Sequence, residues 1–209
     1  PFEKRGCPLF NIGEYRKKPD RLADLLPWAA LVAPGVVLNK DGSFQRTFSY
    51  RGPDLDSATE SEMVSVAARV NNAFKRLSAG WAIWVEAQRM VAREYPSSSF
   101  ENRLAFLIDE ERRDSFQGNN HFESAYYLTL LHLPPPERKS RLAGLFLENG
   151  ARDTVDYAAH LNRFVDETNR VFDLMHGVFP EIHPLKDQET LTYLHGTIST
   201  KRHPVRVPE

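Results

Sequence analysis

The 209-residue chain has a single cysteine, Cys7, so it can form no internal disulfide and no zinc site built from several cysteines. It also has almost no net charge, because its 27 lysines and arginines stand against 28 aspartates and glutamates. A near-neutral chain gives no overall electrostatic attraction to nucleic acid or to an anionic membrane. These features favour a protein of the cytosol, or one that faces it, and do not favour nucleic-acid binding.

Long apolar runs are also missing. The longest, from Leu25 to Leu38, is interrupted by Pro27, Pro34 and Gly35, whereas a membrane-spanning helix needs about 18–20 apolar residues. The start of the chain has no apolar stretch typical of a secretory signal. We therefore predict no membrane span, and we treat residues 1–10 as a terminal segment, either added to the protein or disordered.

The motifs of nucleotide and nucleophilic chemistry are absent. The 11 glycines form neither Gly-x-x-x-x-Gly-Lys-Ser/Thr nor Gly-x-Gly-x-x-Gly, so no loop can wrap phosphates with its backbone N–H groups. There is no Gly-x-Ser-x-Gly elbow and no His-Glu-x-x-His. We predict no catalytic, cofactor-binding or metal-binding residues in this chain.

Two weaker alternatives remain. His176, Glu181 and His183 could converge on a metal, as could His195 and His203, but neither pair of histidines has the helical spacing that preorganises ligands. Trp81, Trp84, Tyr126 and Tyr127 could stack nucleic-acid bases, although no basic residues lie between them. Strand aromatics of this kind are more often part of a core.

Turn residues and hydrophobic periodicity predict the elements of secondary structure. Asp41-Gly42 between two β-rich runs indicates a hairpin. Ser57 to Ala79 reads as a helix with one buried stripe, and both Thr59/Glu62 and Ser57/Glu60 have the spacing of a capping box. The stripe consists of Met63, Val66, Val70, Phe74 and Leu77. The other predicted elements are helical turns at 20–28, strands at 36–38, 43–50, 81–92, 121–133 and 189–199, and helices at 100–113, 141–147 and 153–177.

The element order predicts an α+β fold. Helices fall between single strands after an opening hairpin, which favours a mixed or antiparallel sheet of about five strands with helices packed mainly on one face. A ferredoxin-like arrangement is compatible with this order. We predict one domain over residues 11–199 and a linker or cut end over 200–209.

The segment before the hairpin combines basic and apolar residues. Such a composition suits a membrane–water boundary, where cations meet anionic headgroups and an indole sits at the interface. The alternative is that the apolar residues simply pack under the sheet. The candidate docking residues are Arg16, Lys17, Lys18, Arg21, Leu22, Leu25, Leu26 and Trp28.

Several stretches resemble a known family. The run from Leu25 to Thr47 resembles the start of TrbE-type conjugal transfer ATPases, which belong to the TrbE/CagE family of type IV secretion ATPases. Further similar stretches follow in the same order as in that family: 51–56, 80–82, 107–112, 121–124, 192–197 and 203–205. The resemblance covers roughly residues 9–209.

The resemblance implies the N-terminal domain of a much longer motor. Members carry ATP and Mg²⁺ in a RecA-like domain that follows this region, so no catalytic residue can be transferred to this chain. The resemblance also implies docking to inner-membrane components, notably a small TrbD-like protein, and homo-oligomer assembly at the cytoplasmic face of the bacterial inner membrane. A small independent enzyme and a nucleic-acid-binding module are the alternatives.

Overall fold

A computed structural model describes residues 20–92, 95–117, 121–133, 153–201 and 203–207. The predicted helix at 141–147 and residues 1–10 lie outside these ranges. The described residues form five helices and six strands. In chain order they are α1 (Leu22–Leu25), β1 (Trp28–Ala33), β2 (Val36–Asn39), β3 (Phe44–Arg51), α2 (Glu60–Phe74), β4 (Trp81–Val91), α3 (Arg103–Gln117), β5 (Phe122–His132), α4 (Asp153–His176), β6 (Glu181–Pro184) and α5 (Asp187–Ile198).

The strands form one antiparallel sheet in the order β1-β2-β3-β5-β4. The short β6 pairs with the second half of β3, beyond the end of β2. This architecture confirms the predicted α+β class and antiparallel sheet. The sheet has six strands rather than about five, and a ferredoxin-like arrangement is not shown.

The apolar run from residue 25 to 38 contains a hairpin that the sequence did not predict. Pro34 and Gly35 make the turn between β1 and β2, and Gly35 has a φ of +67°. A Cβ on Gly35 would collide with the carbonyl of Leu185, and its N–H donates to a carboxylate oxygen of Asp187 at 2.7 Å. Glycine is therefore required here both for its backbone conformation and for the close approach of a neighbouring segment.

The main core lies between one face of the sheet and helices α2 and α4. Because strand side chains alternate between faces, Phe48, Leu128 and Leu130 all point towards these helices, where they meet Val171 and Met175 of α4. A second cluster joins β2 and the start of β3 to Phe164 of α4. α4 matches its predicted range and anchors both clusters.

Arg46 is the polar exception in this face. Its guanidinium donates to the hydroxyl of Thr168 at 2.9 Å and to the side-chain oxygen of Asn169 at 2.7 Å. It also lies over the ring of Phe48 at 5.2 Å from the centroid. These partners replace water around a partly buried cation and so allow it to sit beside the core.

Helix α2 begins as predicted but is less buried than predicted. Glu62 N–H donates to the Thr59 hydroxyl at 3.4 Å and Thr59 N–H to the Glu62 carboxylate at 2.7 Å, so the capping box is confirmed. The helix ends at Phe74 rather than Ala79, and its one buried residue is Ala73. The predicted stripe is half-buried in four members, and Met63 is exposed, so full burial was a wrong prediction. The helix contacts the core through Ala73. The half-buried residues of the predicted stripe lie at the edge of this contact.

The predicted strand over 189–199 is wrong, because these residues form α5. The helix starts where Lys186 N–H donates to the Glu189 carboxylate at 2.8 Å. It packs on the face of the sheet opposite α2 and α4, where the Tyr193 hydroxyl lies 3.5 Å from that of Thr129. Thr129 in turn shares a 2.9 Å hydrogen bond with Thr47 across β3 and β5.

Candidate docking surface

The described residues of the candidate docking segment present apolar side chains to solvent. Leu22 and Leu25 of α1 are 63% and 68% exposed, and Arg21 is exposed beside them. Leu26 and Trp28 are half-buried. Arg16, Lys17 and Lys18 lie outside the described residues. The two leucines therefore do not pack under the sheet, whereas Trp28 packs partly against the protein and is partly exposed.

Hydrogen bonds hold this segment against the β2–β3 turn. The Lys40 ammonium donates to the carbonyls of Ala23 at 2.6 Å and Asp24 at 3.2 Å, and Lys40 N–H donates to the Pro27 carbonyl at 2.7 Å. These bonds satisfy carbonyls that the short helix leaves without partners.

The carboxylate of Asp24 secures the other end of α1. It accepts the N–H groups of Arg21 at 3.0 Å and Asp20 at 3.1 Å. The bond from Arg21, followed by that from Asp20, lowers the pKa of Asp24. The exposed leucines are thus displayed on a helix that is fixed at both ends.

A groove of about 700 Å³ opens next to this segment on the α5 face of the sheet. Pro27 and Trp28 line one side, Trp84 of β4 lines another, and Tyr193 of α5 closes it. Trp84 is 51% exposed although it lies on a strand. Because side chains alternate along a strand, Trp84 and Glu86 lie on one face of β4, but nothing in the sequence indicated that α5 would flank that face as a helix.

The polar groups of the groove form a short hydrogen-bonded chain. The Tyr193 hydroxyl donates to one Glu86 carboxylate oxygen at 2.8 Å, and the Gln88 amide donates to the other at 2.8 Å. Burial, helped by the carboxylate of Glu86, raises the pKa of Tyr193 to about 12. The phenol therefore keeps its proton and donates a hydrogen bond to Glu86.

A second apolar surface lies on α3. Leu104, Leu107 and Ile108 share one side of this helix, because they are three and four residues apart, and all three are exposed. The helix is attached through its other side, where the Tyr95 hydroxyl donates to Asp109 at 2.7 Å and Phe116 stacks on His121. The apolar side of α3 thus covers no part of the described core.

The aromatic and histidine alternatives take other positions. Trp81 packs on Phe164 and Tyr127 on Tyr193, whereas Trp84 faces solvent, so the four strand aromatics do not form one stacking platform. The rings of His195 and His203 are 4.6 Å apart. Within the described ranges, no group of three metal-ligating side chains comes together. None of the helices described there is long and apolar enough to cross a membrane.

Residues 35–140 match the family described as the N-terminal domain of the type IV secretion system ATPase VirB4/TrbE. The conjugal transfer protein TrbE of Rhizobium radiobacter is 33% identical over 96% of this chain. A Sinorhizobium fredii protein, named as the first portion of a probable conjugal transfer protein TrbE, is 39% identical over 63% of this chain and 91% of its own length.

A more distant relative is the type IV secretion system protein virB4 of Brucella suis, which is 27% identical over 58% of this chain. The chain spans 27% of the Rhizobium protein and 15% of the Brucella protein. The similarity to these two relatives therefore concerns only a minor fraction of each, whereas it extends over almost all of the Sinorhizobium protein.

Proposed function

Since this chain belongs to the family of VirB4/TrbE N-terminal domains of type IV secretion ATPases, we propose that it docks such a motor to inner-membrane components of the conjugation channel. The preferred partner is a small TrbD-like membrane protein. ATP hydrolysis and its Mg²⁺ then belong to a region of the longer relatives that this chain does not match, and homo-oligomer assembly belongs to the complete motor.

The exposed pair Leu22 and Leu25 carries this proposal. Both leucines are more than 60% exposed on a helix that hydrogen bonds fix at both ends, so folding gains little from their apolar character. Arg21 beside them supplies a positive charge of the kind that favours a cytoplasmic membrane surface. The sequence places Arg16, Lys17 and Lys18 just before this helix, and apolar residues that follow basic ones suit a partner that emerges from the inner membrane.

The decisive experiment is co-purification of the chain with the TrbD-like protein of its own transfer operon. We expect Leu22→Ser/Leu25→Ser to abolish co-purification without lowering the melting temperature, because neither side chain is buried. Trp28→Ser is a less clean variant, because Trp28 is half-buried and its loss also removes packing.

Leu104→Ser/Leu107→Ser on α3 is the matched control. It removes two exposed leucines at the same three-residue spacing from a surface remote in sequence. Loss of co-purification in the α3 variant together with full retention in the α1 variant would move the docking site to α3 and reject the assignment to α1.

A further inference from the structure

The groove beside α1 has a polar lining with two carboxylates, Asp41 and Glu86, and one ammonium group, Lys40. Glu86 accepts hydrogen bonds from Tyr193 and Gln88, which are both neutral donors, and no cation pairs with it in the ranges that the structure describes. The Asp41 carboxylate at the mouth likewise accepts the N–H and hydroxyl of Ser43, at 2.9 and 2.6 Å. The Lys40 ammonium in the lining is bound to the carbonyls of α1.

A buried acceptor of the same lining is unsatisfied. The Asn39 side chain donates its amide to the Ser43 hydroxyl at 2.9 Å, which leaves its Oδ1 with no hydrogen-bond partner among the described residues. Asn39 is only 3% exposed and lines the groove. This part of the lining is therefore polar although it is buried.

The walls of the groove are aromatic. Trp28, Trp84 and Tyr193 line the same space as Glu86 and Asn39. Indole and phenol rings attract cations to their faces, and a guanidinium also stacks on them. The lining therefore combines hydrogen-bond acceptors, an excess of carboxylates over cations and aromatic surface, which together are complementary to an arginine side chain.

We propose that this groove binds an apolar segment of a protein partner that inserts an arginine between Trp84 and Glu86. The five donors of a guanidinium can serve several acceptors at once, which the three donors of a lysine ammonium do less well at a planar site. The remaining volume, about 700 Å³ in all, accommodates apolar side chains on either side of the arginine. Phosphate-bearing ligands are disfavoured, because Glu86 and Asp41 would repel them.

This inference goes beyond the proposed docking role and does not depend on it, since Leu22 and Leu25 are not in the groove lining. The probe is a phage-displayed library of random dodecapeptides, selected on the full 209-residue chain. We expect the enriched peptides to carry an arginine flanked by apolar residues. Replacing that arginine with citrulline, which keeps most donors and removes the charge, should weaken binding at least about tenfold, or 1.4 kcal/mol.

Two charge-neutralising variants locate the site. Glu86→Gln should weaken the enriched peptides by a similar factor, whereas Glu123→Gln should leave binding unchanged, because Glu123 is an exposed residue of β5 outside the groove lining. Trp84→Ala gives a second, independent variant in a side chain that is half exposed. Melting temperatures identify any variant that has lost its fold.

The outcomes separate this site from the α1 surface. Leu22→Ser/Leu25→Ser should bind the peptides normally even if it no longer co-purifies with the TrbD-like protein. Enrichment of peptides without basic residues, or equal binding to Glu86→Gln, would overturn the proposal. So would occupation of the groove by anionic vesicles, by single-stranded DNA or by a second copy of the chain, each detected as protection of Trp84 fluorescence from quenching.

Discussion

The sheet has a covered half, strands β2 and β3, and an open half, strand β4, and the two differ sharply in how many of their residues are buried. Every residue of β2 is buried, and Phe44 and Phe48 of β3 are each 1% exposed. β4 is nearly three times as long as β2, yet Gln88 is its one buried residue, and Val85 is 66% exposed. β4 forms an edge of the sheet and contacts α4 through Trp81 at its start. A long apolar strand is therefore not a guarantee of burial.

The helices α3 and α4 repeat this contrast. Both show apolar residues at three- and four-residue steps, but α4 buries Phe164, Val171 and Met175 whereas α3 exposes Leu104 and Ile108. Periodicity reports that a helix has an apolar side. It does not report whether that side is covered by the same chain, as the difference between the two helices shows.

The largest expected effect tests the covered half. Phe48→Ala removes a fully buried ring that stacks on Phe172, and it should lower the free energy of unfolding by about 3–5 kcal/mol. Val85→Ala in the open half should cost less than about 1 kcal/mol, because most of that side chain is already in water. Urea unfolding of both variants measures the difference.

A similar cost for the two variants would contradict the comparison. It would mean that Val85 is covered in solution, for example by self-association. Repeating the urea titration at several protein concentrations separates these cases, since only an associated chain changes its midpoint with concentration.

Much of this fold could be predicted from sequence, and the reasons are local. Asp41-Gly42 fixes the β2–β3 hairpin. The alternation along β4 and the aromatic and branched residues of β5 place both strands to within a residue or two. The Thr59/Glu62 capping box sets the start of α2. Each of these signals depends on residues close together in the chain.

The failures depend instead on distant contacts. Residues 189–199 have β-branched and aromatic side chains in a pattern typical of a strand, but Thr190 is buried against the segment around Gly35 and Tyr193 packs against Thr129. β6 is short and contains His183 and Pro184, and it exists because β3 extends beyond β2 and offers it an edge. Tertiary packing overrides local preference at both places.

The candidate site shows the same division. The apolar and basic composition of residues 16–28 was visible in sequence, and the exposure of Leu22 and Leu25 agrees with a surface role without testing it. The groove was not visible, because Asn39, Glu86 and Tyr193 are distant in sequence and meet only when α5 crosses the sheet.

A smaller loss of stability is expected for Tyr193, which lies between the groove and the sheet. Tyr193→Phe removes the hydroxyl that donates to Glu86 and should cost about 1.5–3 kcal/mol at neutral pH, the usual range for a hydrogen bond to a charged group. The variant should keep α5 in place, because the ring still packs on Tyr127. Urea unfolding at pH 7 gives the cost.

The pH dependence of the same variant gives an independent check. Burial raises the pKa of Tyr193 to about 12, so the folded state holds this proton more tightly than the unfolded chain, whose phenol titrates near about 10. The resulting stabilisation is complete below about pH 10 and is lost as the pH rises towards 12. The wild-type chain should therefore lose more stability than Tyr193→Phe over this interval. Parallel curves for the two proteins would show that the phenol is solvated.

The last prediction is that nucleotide has no measurable effect on the chain. Neither the covered nor the open half of the sheet is joined to a glycine loop of the kind that wraps phosphates, and the groove is lined by Glu86 and Asp41, which repel them. Calorimetry with Mg-ATP should give no heat beyond dilution, and the melting temperature should not change with nucleotide. Micromolar binding at a defined stoichiometry would contradict this prediction. It would also require a nucleotide site of another kind in the open half, where the comparison of the two halves leads us to expect a protein partner.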